Sequence, residues 1–357
     1  MDKYMELAFT LARNTDPKPN PRVGAVLVKD NQIIGQGFHE GPGEPHAEIN
    51  AIADAKNNKQ EVEGSTLYVS LEPCSHTNKR TPPCTNAIIS NGIAKVVFGA
   101  SDPNPQVLGS KILTNAGLEV SGPVAEEEGK LLNKDYLENL SKKPTVAIKM
   151  AMTADGKTAT KSGYSKWISG EDSRKYVHKL RSEFDAVMVG SRTVIADDPK
   201  LTSRIPNGKN PYRVIIDSKL SIPLDSAILN FEDGKTILVC STQAPKEKKE
   251  ALASKNILLW FCGEEKVDLS QLLVALSAFG IKKILLEGGS ELNSHAIKAK
   301  IVDKFYLFIA PKLIGGSSAK GLIGELGIDT MDDALTLKNM KYSQVGEDLL
   351  LELDLAY

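Results

Sequence analysis

One histidine and two cysteines constrain this chain more than any other feature. They lie in Glu44-Pro-His-Ala-Glu48, Pro73-Cys74 and Pro83-Cys84. An imidazole and two thiolates form a three-ligand set for Zn²⁺, and three protein ligands leave the fourth tetrahedral position open, as a catalytic zinc requires. His46, Cys74 and Cys84 are therefore the candidate metal ligands. Zinc lowers the pKa of water to about 7, and a carboxylate two residues from the histidine can carry the released proton. Glu48 is placed for that catalytic task. Taken alone, His46 would be an ordinary helix-start histidine; its coincidence with Glu48 and two Pro-Cys pairs argues otherwise. A closed structural zinc would need a fourth ligand, for which His76 is the nearby candidate, and Glu48 would then have no task.

A chain of 357 residues is too long for one small core, so two domains are expected. Hydrophobic content of 41% with 25% charged residues is ordinary for a globular protein. Lys+Arg number 44 against Asp+Glu 45, so no basic excess points to nucleic acid, and small polar substrates fit better. Four cysteines, two of them in the metal pattern, do not make a disulfide framework. Cys240 and Cys262 read as core packing, and a reducing cytoplasm fits. No apolar run reaches the ~18 residues of a membrane span, which predicts no membrane partner. The first fourteen residues show amphipathic helical spacing rather than a signal peptide.

After that helix, Pro17, Pro19 and Pro21 force a loop, and Val23 to Val28 and Gln32 to Phe38 read as a hairpin around Lys29-Asp-Asn31. Pro45 suits a first helical turn, which places His46 and Glu48 at the start of a helix running to Lys56. Ser65 to Ser70 reads as a strand with Glu72-Pro-Cys74 just past its end. Pro82-Pro-Cys84 precedes a helix from Thr85 to Ser90, and a cysteine at a helix start has its thiolate favoured by the macrodipole. A further strand spans Lys95 to Gly99, a helix lies near Lys111 to Ala116, and one more helix is expected from Glu126 to about Leu140.

Ser141-Lys-Lys-Pro144 breaks the pattern. The expected domains are therefore residues 1–143 and 144–357. In the second, strands at 145–151, 185–190, 213–217, 236–240, 257–261, 283–287 and 305–309 alternate with helices, which implies an α/β fold with a mostly parallel sheet. Lys338 to Val345 and Asp348 to Leu355 suggest an antiparallel edge pair. No Gly-x-Gly-x-x-Gly follows a strand here. Glu287-Gly-Gly-Ser290 could hold a phosphate at a helix start, although such a turn is more often a plain connection. The stretch from Gly190 to Arg204 reads as a polar loop between strands. Arg181 and Arg204 suit bidentate phosphate contacts, or simple surface solvation. His178 reads as a solvated helix residue.

A His-x-Glu followed by Pro-Cys and a second Cys is the signature of zinc nucleobase deaminases, which have two residues between the cysteines where this chain has nine. More broadly, nearly the whole chain resembles the bifunctional deaminase/reductase family of riboflavin biosynthesis. Asn20 to Val28, Glu44 to Glu48, Glu72 to His76, Thr81 to Cys84 and Asp102 to Gln106 look like its deaminase motifs. Met152 to Lys157, Trp167 to Ser169, Ala196 to Pro199, Glu287 to Ser290 and Ala310 to Leu313 look like its reductase motifs.

The resemblance implies a cytidine-deaminase-like α/β/α zinc domain followed by a dihydrofolate-reductase-like α/β domain. The first would remove the exocyclic amine of a diaminopyrimidinone bearing a phosphoribosylamino group. The second would reduce the ribosyl group of the product to ribityl with NADPH. Positions matching Ala151, Trp167, Thr193, Asp197 and the run Gly289, Ser290, Glu291, Leu292, Asn293, Ser294 and His295 would lie on the cofactor. Those matching Ser165, Arg181, Leu201, Arg204 and Glu287 would lie on the reductase substrate. Asn20, His39, His76 and Arg80 are the corresponding deaminase candidates, although His39 could merely end its strand. The family has eight residues between the cysteines and this chain one more, so Lys79 or Arg80 could be the basic substrate contact; Arg80 is preferred. A homo-oligomer acting on a small phosphoribosylated pyrimidine is expected. Two alternatives stand beside this reading: a deaminase with an inactive second half, and a zinc-stabilised RNA-binding or RNA-editing module.

Overall fold

The computed structural model describes residues 2–17, 20–41, 44–75, 83–102, 104, 107–252, 254–317, 319 and 321–357. The chain forms two compact units, Met1–Lys142 with Ser277–Gly280, and Lys143–Leu276 with Ile281–Tyr357.

The first unit opens with α1 (Lys3–Arg13), capped by Asp2, whose carboxylate accepts the Tyr4 N–H at 2.8 Å. Tyr4, Met5, Ala8, Phe9 and Ala12 form its buried stripe. The strands β1 (Gly24–Lys29) and β2 (Gln32–Phe38) pair antiparallel. Their turn residues Asp30 and Asn31 both take positive φ, 51° and 62°, the conformation that matches a tight hairpin to strand twist. Then follow α2 (Ala47–Asn57), β3 (Thr66–Leu71), α3 (Cys84–Ser90), β4 (Lys95–Ala100), α4 (Gly109–Asn115) and β5 (Glu119–Ser121). The sheet runs β2-β1-β3-β4-β5, with β1 antiparallel to both neighbours and β3, β4 and β5 mutually parallel.

The helix expected from Glu126 to about Leu140 is two helices, α5 (Glu126–Leu132) and α6 (Lys134–Ser141). The break falls at Asn133. Its side-chain amide accepts the Arg22 N–H at 2.7 Å and donates to the Arg22 carbonyl at 3.1 Å, a tertiary pairing that no helical periodicity announces.

The remaining elements are β6 (Thr145–Thr153), α7 (Glu171–Glu183), β7 (Ala186–Gly190), α8 (Ser191–Asp197), β8 (Tyr212–Ile216), β9 (Thr236–Cys240), α9 (Lys246–Leu252), β10 (Leu258–Phe261), α10 (Leu269–Ala278), β11 (Lys283–Leu286), α11 (Ser290–Lys298), β12 (Lys304–Ala310), β13 (Thr336–Val345) and β14 (Asp348–Ala356). Their sheet has the order β10-β9-β8-β7-β11-β6-β12-β14-β13. The pairings from β10 through β12 are parallel, whereas β14 and β13 add an antiparallel edge, as the alternating sequence at the C-terminal end predicts. Ala186, Val187, Met188 and Val189 are all fully buried, so both faces of this central strand are covered. The polar stretch 191–197, read from sequence as loop, is the helix α8, anchored by buried Val194. Cys240 and Cys262 are buried, and burial pushes the Cys240 thiol up to about 12, consistent with packing rather than chemistry.

One contact in the first unit positions chemistry. A Cβ on Gly37 would lie 2.3 Å from the Ala51 nitrogen and 2.4 Å from the Ala47 oxygen, and one on Gly35 would lie 2.3 Å from the Ala51 oxygen. Helix α2 therefore rests on β2 backbone to backbone, presenting the small residues Ala47, Ala51 and Ala55. Gly37→Ala is expected to cost about 2 kcal/mol or more through overpacking. Gly41→Ala, whose Cβ meets nothing within 4 Å, should stay within about 0.5 kcal/mol of the parent. Urea unfolding of both variants checks the contrast.

Candidate active site

His46 is the N-cap residue of α2, Cys74 follows the end of β3, and Cys84 is the first residue of α3. Each local arrangement has its own support. Beyond β3, Glu72 receives the Ser110 N–H at 2.8 Å, and the Ser75 hydroxyl accepts the Leu108 N–H at 2.7 Å, so the Pro-Cys turn is tied to the start of α4. The Cys84 N–H points at the Cys74 sulfur at 3.4 Å, and the Thr85 N–H donates to the Cys74 carbonyl at 3.2 Å. The start of α3 thereby faces the first thiolate with its free peptide donors.

The three ligand atoms lie within 4.8 Å of one another. His46 Nδ1 is 3.2 Å from Cys84 Sγ and 3.4 Å from Cys74 Sγ. Nitrogen and sulfur ligands of one tetrahedral zinc stand about 3.5 Å apart, given Zn–N of about 2.0 Å and Zn–S of about 2.3 Å. The donor set and its spacing therefore fit zinc. Among the described residues no fourth His, Cys, Asp or Glu joins the cluster.

Glu48 lies in the first turn of α2 and is only 3% exposed. Burial raises its carboxyl above the usual range, the Cys74 thiolate adds to the rise, and His46 opposes it. Its side chain also hydrogen-bonds Cys84, whose own thiol is pushed up by its bond with Cys74, by burial and by Glu48. His39 and Asn20 join this neighbourhood. His39 Nε2 is 2.9 Å from Asn20 Nδ2, its Nδ1 is 3.1 Å from the Pro45 carbonyl, and its ring stands edge-on to His46 with centroids 5.1 Å apart. His76, Lys79 and Arg80 lie outside the described residues.

In the second unit a cavity of about 1500 Å³ opens at the ends of β6, β7, β8 and β11. Ala151, Trp167, Thr193, Asp197, Gly289, Ser290, Glu291, Leu292, Asn293 and His295 line it, and so do Ser165, Arg181, Leu201, Arg204 and Glu287. Ser294 is not among the lining residues; its hydroxyl donates to the Ser290 carbonyl at 2.7 Å inside α11. Glu287 leaves the end of β11 and meets Arg181 of α7 in a two-point ion pair at 2.6 and 2.9 Å, their side chains 10% and 12% exposed. Lys149 of β6 stands 4.0 Å from the same carboxylate. Burial pushes the Glu287 carboxyl upward, but Arg181 and then Lys149 overcome it, so the net shift is downward. Lys149 itself is lowered, first by burial and then by Arg181, against the pull of Glu287.

Sequence reasoning missed Lys149, an unremarkable lysine in an apolar strand. It also misread His178, which lines the cavity instead of standing in solvent, with Nδ1 3.3 Å from the Thr202 carbonyl. Helical spacing from Arg181 places His178 on the same face, a signal that was available.

Residues 1–100 match the cytidine and deoxycytidylate deaminase zinc-binding region, and residues 144–351 match the RibD C-terminal domain. The riboflavin biosynthesis protein RibD of Aquifex aeolicus is 42% identical over 355 residues, covering 98% of this chain and 96% of that protein. The chain belongs to the RibD family. Among solved structures, Acinetobacter baumannii RibD is similar with a TM-score of 0.54 and 34% identity, covering 99% of this chain and 98% of that one. A Thermotoga maritima protein described as a diaminohydroxyphosphoribosylaminopyrimidine deaminase/5-amino-6-(5-phosphoribosylamino)uracil reductase has a TM-score of 0.50 and 35% identity over the same shares. Membership of this family gives the N-terminal unit its cytidine-deaminase-like fold and the C-terminal unit its RibD reductase fold.

Cys74→Ser and Cys84→Ser are each expected to reduce bound zinc from about one ion per chain to a small fraction of that, read by elemental analysis after dialysis. In the second unit, Glu287→Gln leaves Arg181 and Lys149 buried without their carboxylate and should cost about 3 kcal/mol in denaturant unfolding. The pH sign follows from the lowered native pKa. The contribution of Glu287 is complete above the ordinary carboxyl value of 4.5 and is lost as pH falls through the lower native one. The stability gap between parent and Glu287→Gln should therefore narrow in acid.

Proposed function

We propose that the chain carries out two consecutive steps of riboflavin biosynthesis. Residues 1–143 would hydrolyse the exocyclic amine of a phosphoribosylamino-diaminopyrimidinone. Residues 144–357 would reduce the ribosyl group of the resulting aminouracil to ribityl with NADPH. The observation that carries the first step is the convergence of His46 Nδ1, Cys74 Sγ and Cys84 Sγ beside a buried carboxylate that the ligand set does not need.

His46, Cys74 and Cys84 would hold the zinc ion in this reading. When bound, zinc supplies the Lewis acidity that makes water nucleophilic near neutral pH. Glu48 would accept a proton from the attacking water and return it to the departing amine, a relay suited to a carboxyl whose burial raises its proton affinity. Asn20 and His39 would contact the pyrimidine, with His76 and Arg80 as further candidates.

In the second unit, Ala151, Trp167, Thr193, Asp197 and the run 289–295 would serve NADPH binding. Ser165, Arg181, Leu201, Arg204 and Glu287 would serve substrate binding. Ser294 acts through the shape of α11, since its hydroxyl is already used within the helix. The lining residues include nine Lys and Arg against five Asp and Glu, an excess suited to the phosphates of substrate and NADPH, although the whole chain has a net charge of −1. Among the described residues no helix is long and apolar enough to cross a membrane. The reading places a homo-oligomer in the cytoplasm, with no nucleic-acid partner.

The test is to follow ammonia release and NADPH oxidation separately. Glu48→Gln should retain zinc, lose at least ~10²-fold in ammonia release, and still oxidise NADPH when given the deaminated compound. Asp197→Ala or Arg204→Ala should show the reverse pattern. Normal ammonia release by Glu48→Gln, or loss of both activities together in a folded Arg204→Ala, would contradict the assignment.

A further inference from the structure

Trp167 is 65% exposed at the wall of the reductase cavity, in a segment between β6 and α7 that has no helix or strand of its own. An exposed indole on such a segment would ordinarily sample several positions. Here two cations converge on it. The Lys312 ammonium donates to the Trp167 carbonyl at 2.9 Å and to the Ile168 carbonyl at 2.7 Å. The Arg174 guanidinium lies over the indole, 4.7 Å from its centroid, and donates to the Ser169 carbonyl at 2.7 Å. Both cations stand on fixed supports. Arg174 belongs to the first turns of α7, whose leading Gly170 N–H is held by the buried Asp348 carboxylate at 2.8 Å.

Lys312 has a comparable anchor. Its carbonyl accepts the Ala154 N–H at 2.9 Å, and two residues further on the Asp155 carboxylate accepts the N–H groups of Ile314 and Gly315. The Thr153 hydroxyl donates to the same carboxylate at 2.5 Å, and these bonds hold the Asp155 carboxyl down to about 2. The exit of β12 is thus fastened to the exit of β6, and Lys312 extends from that fastening to the backbone of the indole segment. Three consecutive carbonyls, those of residues 167, 168 and 169, are claimed by these two side chains.

We infer that Lys312 and Arg174 are positioning residues that fix Trp167 against the cavity and thereby set the affinity for NADPH. Neither needs to touch the reacting atoms. A planar group fixed before binding loses less freedom when the cofactor arrives, so the effect falls on affinity rather than on the chemical step. This inference rests on reading residues 144–357 as the reductase unit.

The test compares Lys312→Ala, Lys312→Arg and Arg174→Ala with the parent. The emission anisotropy of Trp167 is taken as the difference from Trp167→Phe, because Trp260 is buried and common to all variants. Lys312→Ala and Arg174→Ala should lower that anisotropy in the cofactor-free protein. They should raise the NADPH dissociation constant and KM by about tenfold while changing kcat by less than about threefold. Lys312→Arg, which keeps a cation able to reach two carbonyls, should recover most of the affinity. Unchanged anisotropy overturns the inference, and so does changed anisotropy with an unchanged dissociation constant. A fall in kcat and Tm that Lys312→Arg does not relieve also overturns it, since that is the signature of a merely structural bond. If the parent bound no NADPH, the reductase reading would fail instead, whereas the cofactor-free anisotropy would still decide whether the two cations hold Trp167.

Discussion

The backbone contact between α2 and β2 governs where His46 and Glu48 can stand. Gly35 and Gly37 have no Cβ, so the helix approaches the strand until its own peptide groups, at Ala47 and Ala51, fill the space a side chain would take. That approach carries the start of α2 to the level at which Cys74 leaves β3 and Cys84 begins α3. A metal site tolerates only tenths of an ångström in its donor positions. Three ligands from three elements can satisfy that tolerance only if the elements themselves are packed without slack. The glycines therefore act on the chemistry from a distance, by removing slack.

The reductase cavity is organised by a different interaction. Glu287, Arg181 and Lys149 come from the end of β11, from α7 and from β6, and their charges meet where water is largely excluded. A buried carboxylate between two cations is held ionised, and neither cation can leave without stranding the others. The cluster ties a helix to two strands and at the same time leaves one positive charge uncompensated toward the cavity. The same three side chains thus join the elements and set the charge of that cavity wall. Other basic lining residues, Lys219 and Lys266 among them, extend that positive character along the cavity.

Much of this was legible in the sequence, and what was not has identifiable causes. The metal triad could be read because its chemistry needs particular residue types, and those types are rare: the chain has four cysteines and five histidines. The parallel sheet could be read because buried strands leave continuous apolar runs, and the terminal hairpin because β13 and β14 alternate. The break at Asn133 could not, because the bonds that end α5 come from Arg22, far away in sequence. α8 was hidden by a polar composition with a single buried anchor, Val194. Lys149 was hidden for the opposite reason. It sits in a strand whose neighbours Val146, Ala147 and Ile148 are buried, and only the fold brings Glu287 and Arg181 to it. The net charge concealed the basic cavity because a sum over the chain carries no positions.

Two buried glutamates show how neighbours, more than burial, divide the work between the units. Burial alone would raise both carboxyls, and it does so at Glu48, whose closest partners are thiol groups and one imidazole. At Glu287 a guanidinium and an ammonium reverse the direction, so the carboxyl is held below its ordinary value. A carboxyl raised toward neutrality can both accept and return a proton, whereas one held down can only orient and attract. The proton relay proposed for Glu48 calls for the first behaviour. The second keeps Arg181 and Lys149 in place at the cavity wall.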